Sequence, residues 1–188
     1  MKAPRENSVA ARGSDVGPAS GWWWAAAVAV TLAIMGAGLW FGDLNQDEGW
    51  YLYAAGEVGR GRLPFVHFAT TQGPVFPLVY AAANPLVARW GVAGGRLFTG
   101  LLGAGAVALA VWLAARIAPD GSDRRARRAT AWMALLLIGV NVYQGYYFTV
   151  VKTYALTALL LMAGQHLLLN AWRGGRRFWR AIPAVQAE

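Results

Sequence analysis

The 188-residue chain contains no cysteine, and only 14% of its residues carry a charge. Without cysteine, the protein has neither a disulfide framework nor a thiol nucleophile. A soluble domain carries about 25% charged residues, so the scarcity of charge argues against one. What the chain has instead is a 57% share of hydrophobic residues. This composition predicts a protein of the lipid bilayer.

Acidic residues are also few, because nine aspartates and glutamates stand against 17 lysines and arginines. The resulting net charge of +8 would suit a nucleic acid as partner. The arginines, however, cluster at the ends of apolar runs, where positive charge sets the orientation of membrane helices. We therefore expect the membrane, and no nucleic acid, among the partners of the protein.

Four runs without a charged residue are each about as long as a membrane-spanning helix requires. They cover residues 22–41, 97–115, 129–148 and 153–171. The expected fold is all-α, a polytopic membrane bundle of four transmembrane helices within residues 21–172. The small polar residues 1–20 and the basic residues 173–188 are expected to form cytoplasmic tails, the first of them disordered.

The apolar segment 73–88 is ambiguous, because it contains three prolines. If it does not cross the membrane, 12 of the 17 basic residues fall on one side of the bilayer, and if it does cross, only six do. The positive-inside rule therefore predicts a segment that does not cross. Both termini are then cytoplasmic, and residues 43–96 lie on the external face of the plasma or inner membrane.

The external segment holds four of the nine acidic residues and one of the two histidines. Residues 47–58 have helical spacing, and Asn45 with Glu48 approximates a capping box at the start. Gly59 is a natural end for this helix, and residues 73–88 predict a second, more apolar interfacial helix. The spacing divides the first helix into an apolar stripe and acids that face water: Trp50, Ala54 and Val58 on the stripe, and Asp47, Glu48 and Glu57 toward water.

An apolar helix followed by the sequence DEGWYLYAAGEVGRGRLPFVHFATTQGPVFPLVYA resembles the amino-terminal part of the C-type membrane glycosyltransferases. The similar branch contains the protein-mannosyltransferase-like and aminoarabinose-transferase-like enzymes, and the resemblance covers roughly residues 22–171. It implies an enzyme that transfers a sugar from a polyprenyl-phosphate donor. The acceptor would be a lipid, glycan or protein on the extracytoplasmic side of the membrane.

The resemblance also implies roles for individual residues. Asp47 takes the position of the family's catalytic acid, as base toward the acceptor hydroxyl or as a metal ligand, and Glu48 is its neighbour. The family often has an acid where His67 stands and another near Lys152, so a divalent metal ion is left open as cofactor and no metal ligands are assigned. A lysine can instead meet the donor phosphate as a point charge. The candidates for substrate binding are Lys152, Arg60, Arg62 and His67.

Other interpretations of the same residues stay open. Asp47 and Glu48 could only stabilise a helix N-terminus, and Arg60 and Arg62 could only hold the loop to lipid headgroups. Lys152 could extend to the membrane surface without any role. Family members have more membrane helices, so the chain is expected to be an amino-terminal portion, a truncated reading frame or a small relative. The alternative function is a non-catalytic multi-pass membrane scaffold or interaction protein.

Overall fold

The computed structural model of the chain describes residues 21–41, 45–117 and 123–181. Every regular element in these ranges is a helix, which confirms the predicted all-α class. The expected tail at residues 1–20 lies outside the described residues, as do residues 182–188. In chain order the helices are α1 (Gly21–Phe41), α2 (Gln46–Gly59), α3 (Val75–Tyr80), α4 (Asn84–Trp90), α5 (Val92–Ile117), α6 (Arg124–Ala134), α7 (Val142–Tyr147) and α8 (Thr153–Ala181).

The two longest helices, α5 and α8, pack along each other. Among the described residues, Val92–Ile117 and Thr153–Arg173 are the two segments long and apolar enough to cross a membrane. They contain the predicted runs 97–115 and 153–171. Helix α1 contributes the shorter apolar segment Trp24–Trp40. Helix α8 does not end where a basic tail was expected, because it continues to Ala181.

The third predicted span, residues 129–148, is not one continuous helix. Helix α6 passes into a π-helical turn over Leu135–Gly139, and α7 begins only at Val142. Asn141 causes the restart: its backbone is extended, and its side chain accepts a hydrogen bond of 3.2 Å from the Gln144 amide. An asparagine in this position caps a new helix N-terminus and interrupts the previous helix.

Helix α2 begins with the predicted capping box. The Asn45 side chain accepts from the Asp47 amide over 3.1 Å, and the Glu48 side chain accepts from the Asn45 amide over 3.2 Å. The predicted second interfacial helix is divided into α3, a 3₁₀ turn at Ala81–Ala83 and α4. Gly91 then adopts a positive φ of 57° and turns the chain directly into α5.

The face that α2 buries differs from the predicted one. Tyr51, Ala54 and Ala55 are buried, whereas Trp50 is exposed. Glu48 and Glu57, which were expected to face water, are also buried. Their burial is explained by arginine partners elsewhere in the sequence, which a helical periodicity cannot show.

Two apolar clusters hold the helices together. One lies among α1, α5 and α8 and extends to the π-helical turn, and the other lies beneath α2 and α3. The first contains Ala27, Met35, Ala106, Val107, Leu135, Phe148 and Ala155. The second contains Tyr51, Ala55, Phe76, Tyr80, Val151 and Leu156. The second cluster places the N-terminal half of α2 over the segment that leads into α8.

Candidate functional site

Glu48 and Arg96 form a buried ion pair that joins α2 to α5. The Arg96 Nε and Nη2 groups donate to the two Glu48 carboxylate oxygens over 2.8 and 2.7 Å. Only 4% of the Arg96 side chain and 1% of the Glu48 side chain are exposed. Arg96 also donates from Nη1 to the Gly38 carbonyl of α1 over 3.3 Å. One guanidinium group therefore holds parts of three helices together.

The Glu48 carboxylate accepts four hydrogen bonds, because two backbone amides add to the bonds from Arg96. The Val151 amide donates to Oε1 over 3.0 Å, and the Asn45 amide donates to Oε2 over 3.2 Å. Burial raises the pKa of Glu48, but these hydrogen bonds lower it further than burial raises it. Four bonds occupy the accepting capacity of a carboxylate. Arg96 and two backbone amides therefore engage both Glu48 oxygens, and the catalytic role of Glu48 stays a prediction.

Asp47 precedes Glu48 in α2 but contacts a different partner, Lys152, at the start of α8. The Lys152 Nζ lies 2.8 Å from Asp47 Oδ2. The Asp47 side chain is 56% exposed and that of Lys152 is 19% exposed. The hydrogen bond to Asp47 raises the pKa of Lys152, so the amine stays protonated. The pair presents an accessible carboxylate beside a fixed positive charge.

Two buried groups lie against the backbone around Lys152. Glu48 accepts from the Val151 amide over 3.0 Å, and the Tyr80 hydroxyl oxygen lies 3.5 Å from the Lys152 carbonyl oxygen. Tyr80 is fully buried and shares a 2.9 Å hydrogen bond with Thr99 of α5. Burial raises the pKa of Tyr80 to about 12, so its hydroxyl remains a donor at neutral pH. The backbone of Lys152 therefore lies beside the buried Glu48 carboxylate and the buried Tyr80 ring.

Arg60 and Arg62 follow the opposite end of α2, where both pair with Glu57. Their Nη1 atoms lie 2.6 and 2.5 Å from the two Glu57 carboxylate oxygens. The hydrogen bonds from Arg62 and Arg60 lower the pKa of Glu57. A helix rises 1.5 Å per residue, so Arg60 is about 18 Å along the chain from Glu48. The structure does not bring these two predicted substrate-binding residues to Asp47.

His67 lies in the turn beyond Arg62 and is exposed. Its Nδ1 accepts a hydrogen bond of 2.9 Å from the Leu63 amide, and its own amide donates to the Leu63 carbonyl over 3.0 Å. The imidazole therefore closes a local turn. The predicted contact of His67 with a donor phosphate at Asp47 finds no support in this position.

Arg96 and Tyr80 contact the residues of the candidate site, but residue types alone did not indicate them. Arg96 was assigned only to the external charge count, although an arginine within the uncharged sequence AGGRLF at the start of an apolar helix is a usable signal. Such a charge needs a partner, and the few nearby acids restrict the choice. Tyr80 gives no comparable signal, because a tyrosine in an apolar segment is ordinary.

Among the residues that the structure describes, the donor set around Asp47 does not fit the divalent metal ion that the resemblance left open. In the ranges that the structure describes, no three histidine, aspartate or glutamate side chains come together closely enough to hold a metal. Asp47 has Lys152 beside it, and the oxygens of Glu48 are occupied by Arg96 and backbone amides. The positive charge of this site comes from Lys152.

An apolar groove of about 200 Å³ lies between α1 and α5. It starts near the buried ion pair, because Leu97 follows Arg96 and Leu39 follows the Gly38 that Arg96 contacts. Aliphatic side chains from both helices line most of it, and a threonine adds a polar group. The lining includes Leu32, Met35, Leu39, Leu97, Leu101 and Thr149.

Comparison of the chain with protein families, with curated proteins and with solved structures found no match.

Proposed function

We propose that this protein contributes the site of a membrane glycosyltransferase, which transfers a sugar from a polyprenyl-phosphate donor to an acceptor hydroxyl. In this proposal the chain has four membrane spans and cytoplasmic termini, and α2 to α4 lie on the extracytoplasmic side. The observation that carries the proposal is the Asp47–Lys152 pair. It combines an exposed carboxylate and a retained ammonium within 2.8 Å, which are the two charges that such a transfer needs.

Asp47 acts as the base and Lys152 binds the phosphate. The donor phosphate competes with Asp47 for the ammonium, which frees the carboxylate to face the acceptor hydroxyl. As the acceptor oxygen forms its bond to the anomeric carbon, its proton passes to Asp47. The bond between the anomeric carbon and the phosphate oxygen breaks, and polyprenyl phosphate leaves with the electron pair. The Lys152 ammonium stabilises the negative charge of this leaving group.

The groove between α1 and α5 supports a lipid-linked donor. Its walls are aliphatic side chains, and an isoprenoid chain is a hydrocarbon of matching polarity. The groove begins near Arg96, and the Glu48 partner of Arg96 is adjacent to Asp47 in the sequence. A lipid tail in the groove would place its phosphate on the side of the molecule where Lys152 lies.

Rigid support for the charged pair also favours a catalytic role over a simple surface ion pair. Exposed ion pairs contribute about 0 to 1 kcal/mol to stability, so stability gives little reason to fix Lys152 from two sides. Catalysis does give one, because a base and a phosphate-binding cation must be held in one geometry. Glu48, Arg96 and Tyr80 supply that support.

The test is sugar transfer from a polyprenyl-phosphate sugar by Asp47→Asn in the complete membrane protein. The change keeps the shape and removes the proton acceptor, so we expect transfer to fall by about a hundredfold or more. Asp123→Asn is the matched control, because Asp123 is also a carboxylate at a helix N-terminus and asparagine caps equally well. The control variant should transfer sugar at the wild-type rate.

Unchanged transfer by Asp47→Asn would remove Asp47 from the mechanism. If the wild-type protein inserts correctly into the membrane but transfers sugar from none of the donors tested, the result instead favours a non-catalytic scaffold. The Asp47–Lys152 pair would then serve only to fasten α2 to the start of α8.

A further inference from the structure

The turn of residues 63–68 exposes three large apolar side chains next to one another. Leu63 is 53% exposed, Phe65 is 61% exposed and Val66 is 72% exposed. Their neighbour Pro64 is buried, so the turn is attached to the protein and directs the other three outward. A cluster of exposed apolar side chains in an ordered turn indicates a contact surface.

The turn holds this arrangement against a conformational cost. Phe65 is the only non-glycine residue with a positive φ among the described residues, at 65°. Such a backbone is unfavourable for a bulky side chain and persists only where the surroundings fix it. Here the Phe65 amide donates to the Phe68 carbonyl over 2.9 Å, and His67 bonds twice to Leu63. The hydrogen bonds fix the orientation in which the phenylalanine ring is exposed.

The turn follows the C-terminal end of α2, at a distance from the buried start of that helix. Glu48, near the start of α2, is buried between α5 and the segment before α8, and the turn follows the other end of α2. About 18 Å of helix separate Glu48 from Arg60, which exceeds the 10 to 12 Å diameter of one helix with its side chains. The turn therefore follows the end of α2 that lies away from Glu48, and its last residue, Phe68, returns to contact the Tyr53 ring of α2 edge-on at a centroid distance of 6.4 Å.

Positive charge lies beside the apolar side chains. Arg60 and Arg62 are exposed and share the single negative charge of Glu57, so this group carries a net positive charge. Apolar side chains adjacent to excess positive charge match the two layers of a bilayer surface, its hydrocarbon and its phosphates. A second copy of the chain would offer the same positive charge and would be repelled.

We propose that the turn of residues 63–68 inserts into the bilayer, with Arg60 and Arg62 at the level of the lipid phosphates. Leu63, Phe65 and Val66 enter the hydrocarbon, and the strained Phe65 directs its ring into the lipid. The far end of α2 is thereby anchored to the membrane, while Glu48 anchors its start to the bundle. This inference is independent of the sugar-transfer proposal, because it concerns only where the turn lies.

The absence of cysteine allows a direct test in the full chain. A single cysteine placed by Val66→Cys is labelled with an environment-sensitive nitrobenzoxadiazole fluorophore, and the protein is reconstituted in phosphatidylcholine vesicles with and without phosphatidylglycerol. We expect quenching by lipids that carry a shallow nitroxide to be several-fold stronger at position 66 than in Gln46→Cys. Gln46 is exposed at the other end of α2. The anionic lipid should increase quenching at position 66.

Equal quenching by nitroxide lipids at positions 46 and 66 would overturn the proposal. So would efficient quenching at position 66 by a water-soluble quencher, which would place the turn in water. Protection of position 66 from both quenchers would indicate cover by a second copy of the chain and would equally contradict insertion. Circular dichroism of both labelled variants establishes that the helices are intact before the quenching results are compared.

Discussion

At the scale of single residues, the adjacent acids Asp47 and Glu48 have opposite environments. Successive residues of a helix are rotated by about 100°, so Glu48 turns inward to Arg96 while Asp47 turns outward to Lys152. The sequence could predict that acids gather at the start of α2, and it could predict the capping box. It could not predict which acid is buried, because that depends on Arg96, which is 48 residues away.

The first residue-scale prediction concerns the Glu48–Arg96 pair. Glu48→Met removes the carboxylate that accepts from Arg96 Nε and Nη2, and breaking such a buried pair costs about 3 to 5 kcal/mol in the free energy of unfolding. Replacing both residues by methionine also removes the buried guanidinium charge, so the double variant should be more stable than Glu48→Met alone. Unfolding in detergent, followed by circular dichroism, measures both differences. If the double variant loses as much free energy of unfolding as Glu48→Met and Arg96→Met lose when added together, the two residues are not coupled.

The second residue-scale prediction concerns pH. The pKa of Glu48 is lowered in the folded protein, so its contribution to stability is present above the unfolded value of about 4.3. The contribution is lost as the pH falls through the lower folded value. We therefore expect the stability difference between wild type and Glu48→Gln to be constant near neutral pH and to narrow below pH of about 4. If the stability curves of wild type and Glu48→Gln remain parallel below about pH 4, the Glu48 carboxylate is not the titrating group.

At the scale of helices, uncharged runs predicted where apolar helices lie but not where they break. Residues 97–115 and 153–171 lie within continuous helices, as expected. Residues 129–148 are broken, because Asn141 caps α7 after a π-helical turn. The charge-free run hid this interruption, since an asparagine side chain is uncharged yet competes for backbone hydrogen bonds. The residue types do not locate such a break by themselves, because Gly103 lies inside the continuous helix α5 and Asn170 inside the continuous helix α8.

Close packing of α4 against α5 gives the element-scale prediction. A Cβ atom on Gly94 would collide with the Leu86 carbonyl and the Val87 nitrogen, and backbone atoms cannot move aside as a flexible side chain can. Gly94→Ala should therefore cost about 1 to 3 kcal/mol through overpacking. In the same helix, Gly100 would meet only a Thr149 methyl group at 3.7 Å, which is ordinary contact. Gly100→Ala is the control.

Thermal unfolding in detergent distinguishes the two alanine variants. A lower midpoint for Gly94→Ala, with an unchanged or higher midpoint for Gly100→Ala, is the expected result. Equal midpoints for both variants would show that α4 is free to move away from α5. The support that α3 and α4 give to Lys152 through Tyr80 would then need another explanation.

At the scale of the whole molecule, the four long uncharged runs predicted an all-helical protein, and the structure confirms this for the residues it describes. The number of membrane crossings stays a prediction, because two segments among the described residues meet the length and hydropathy requirements and α1 contributes a shorter apolar one. Distant pairings had to come from the structure. Contacts such as Glu48–Arg96 and Asp47–Lys152 join residues about 50 and 100 positions apart, which helical periodicity does not report.

The account depends most on Lys152 as a binder of a lipid-linked phosphate, and binding of farnesyl phosphate to the detergent-solubilised chain tests this directly. Farnesol has the same isoprenoid chain without the charge, so it separates the phosphate contribution from that of the groove. A charge-assisted hydrogen bond contributes about 1.5 to 3 kcal/mol. Lys152→Met should therefore weaken farnesyl phosphate binding by roughly tenfold to a hundredfold.

The matched control is Arg89→Met, which removes an exposed charge that lies over Trp90 and forms no ion pair with the acids that the structure describes. The account predicts that wild type and Arg89→Met bind farnesyl phosphate more tightly than farnesol, and that Lys152→Met loses this preference. If Lys152→Met binds farnesyl phosphate as tightly as the wild type, Lys152 does not bind the phosphate, and the account is contradicted.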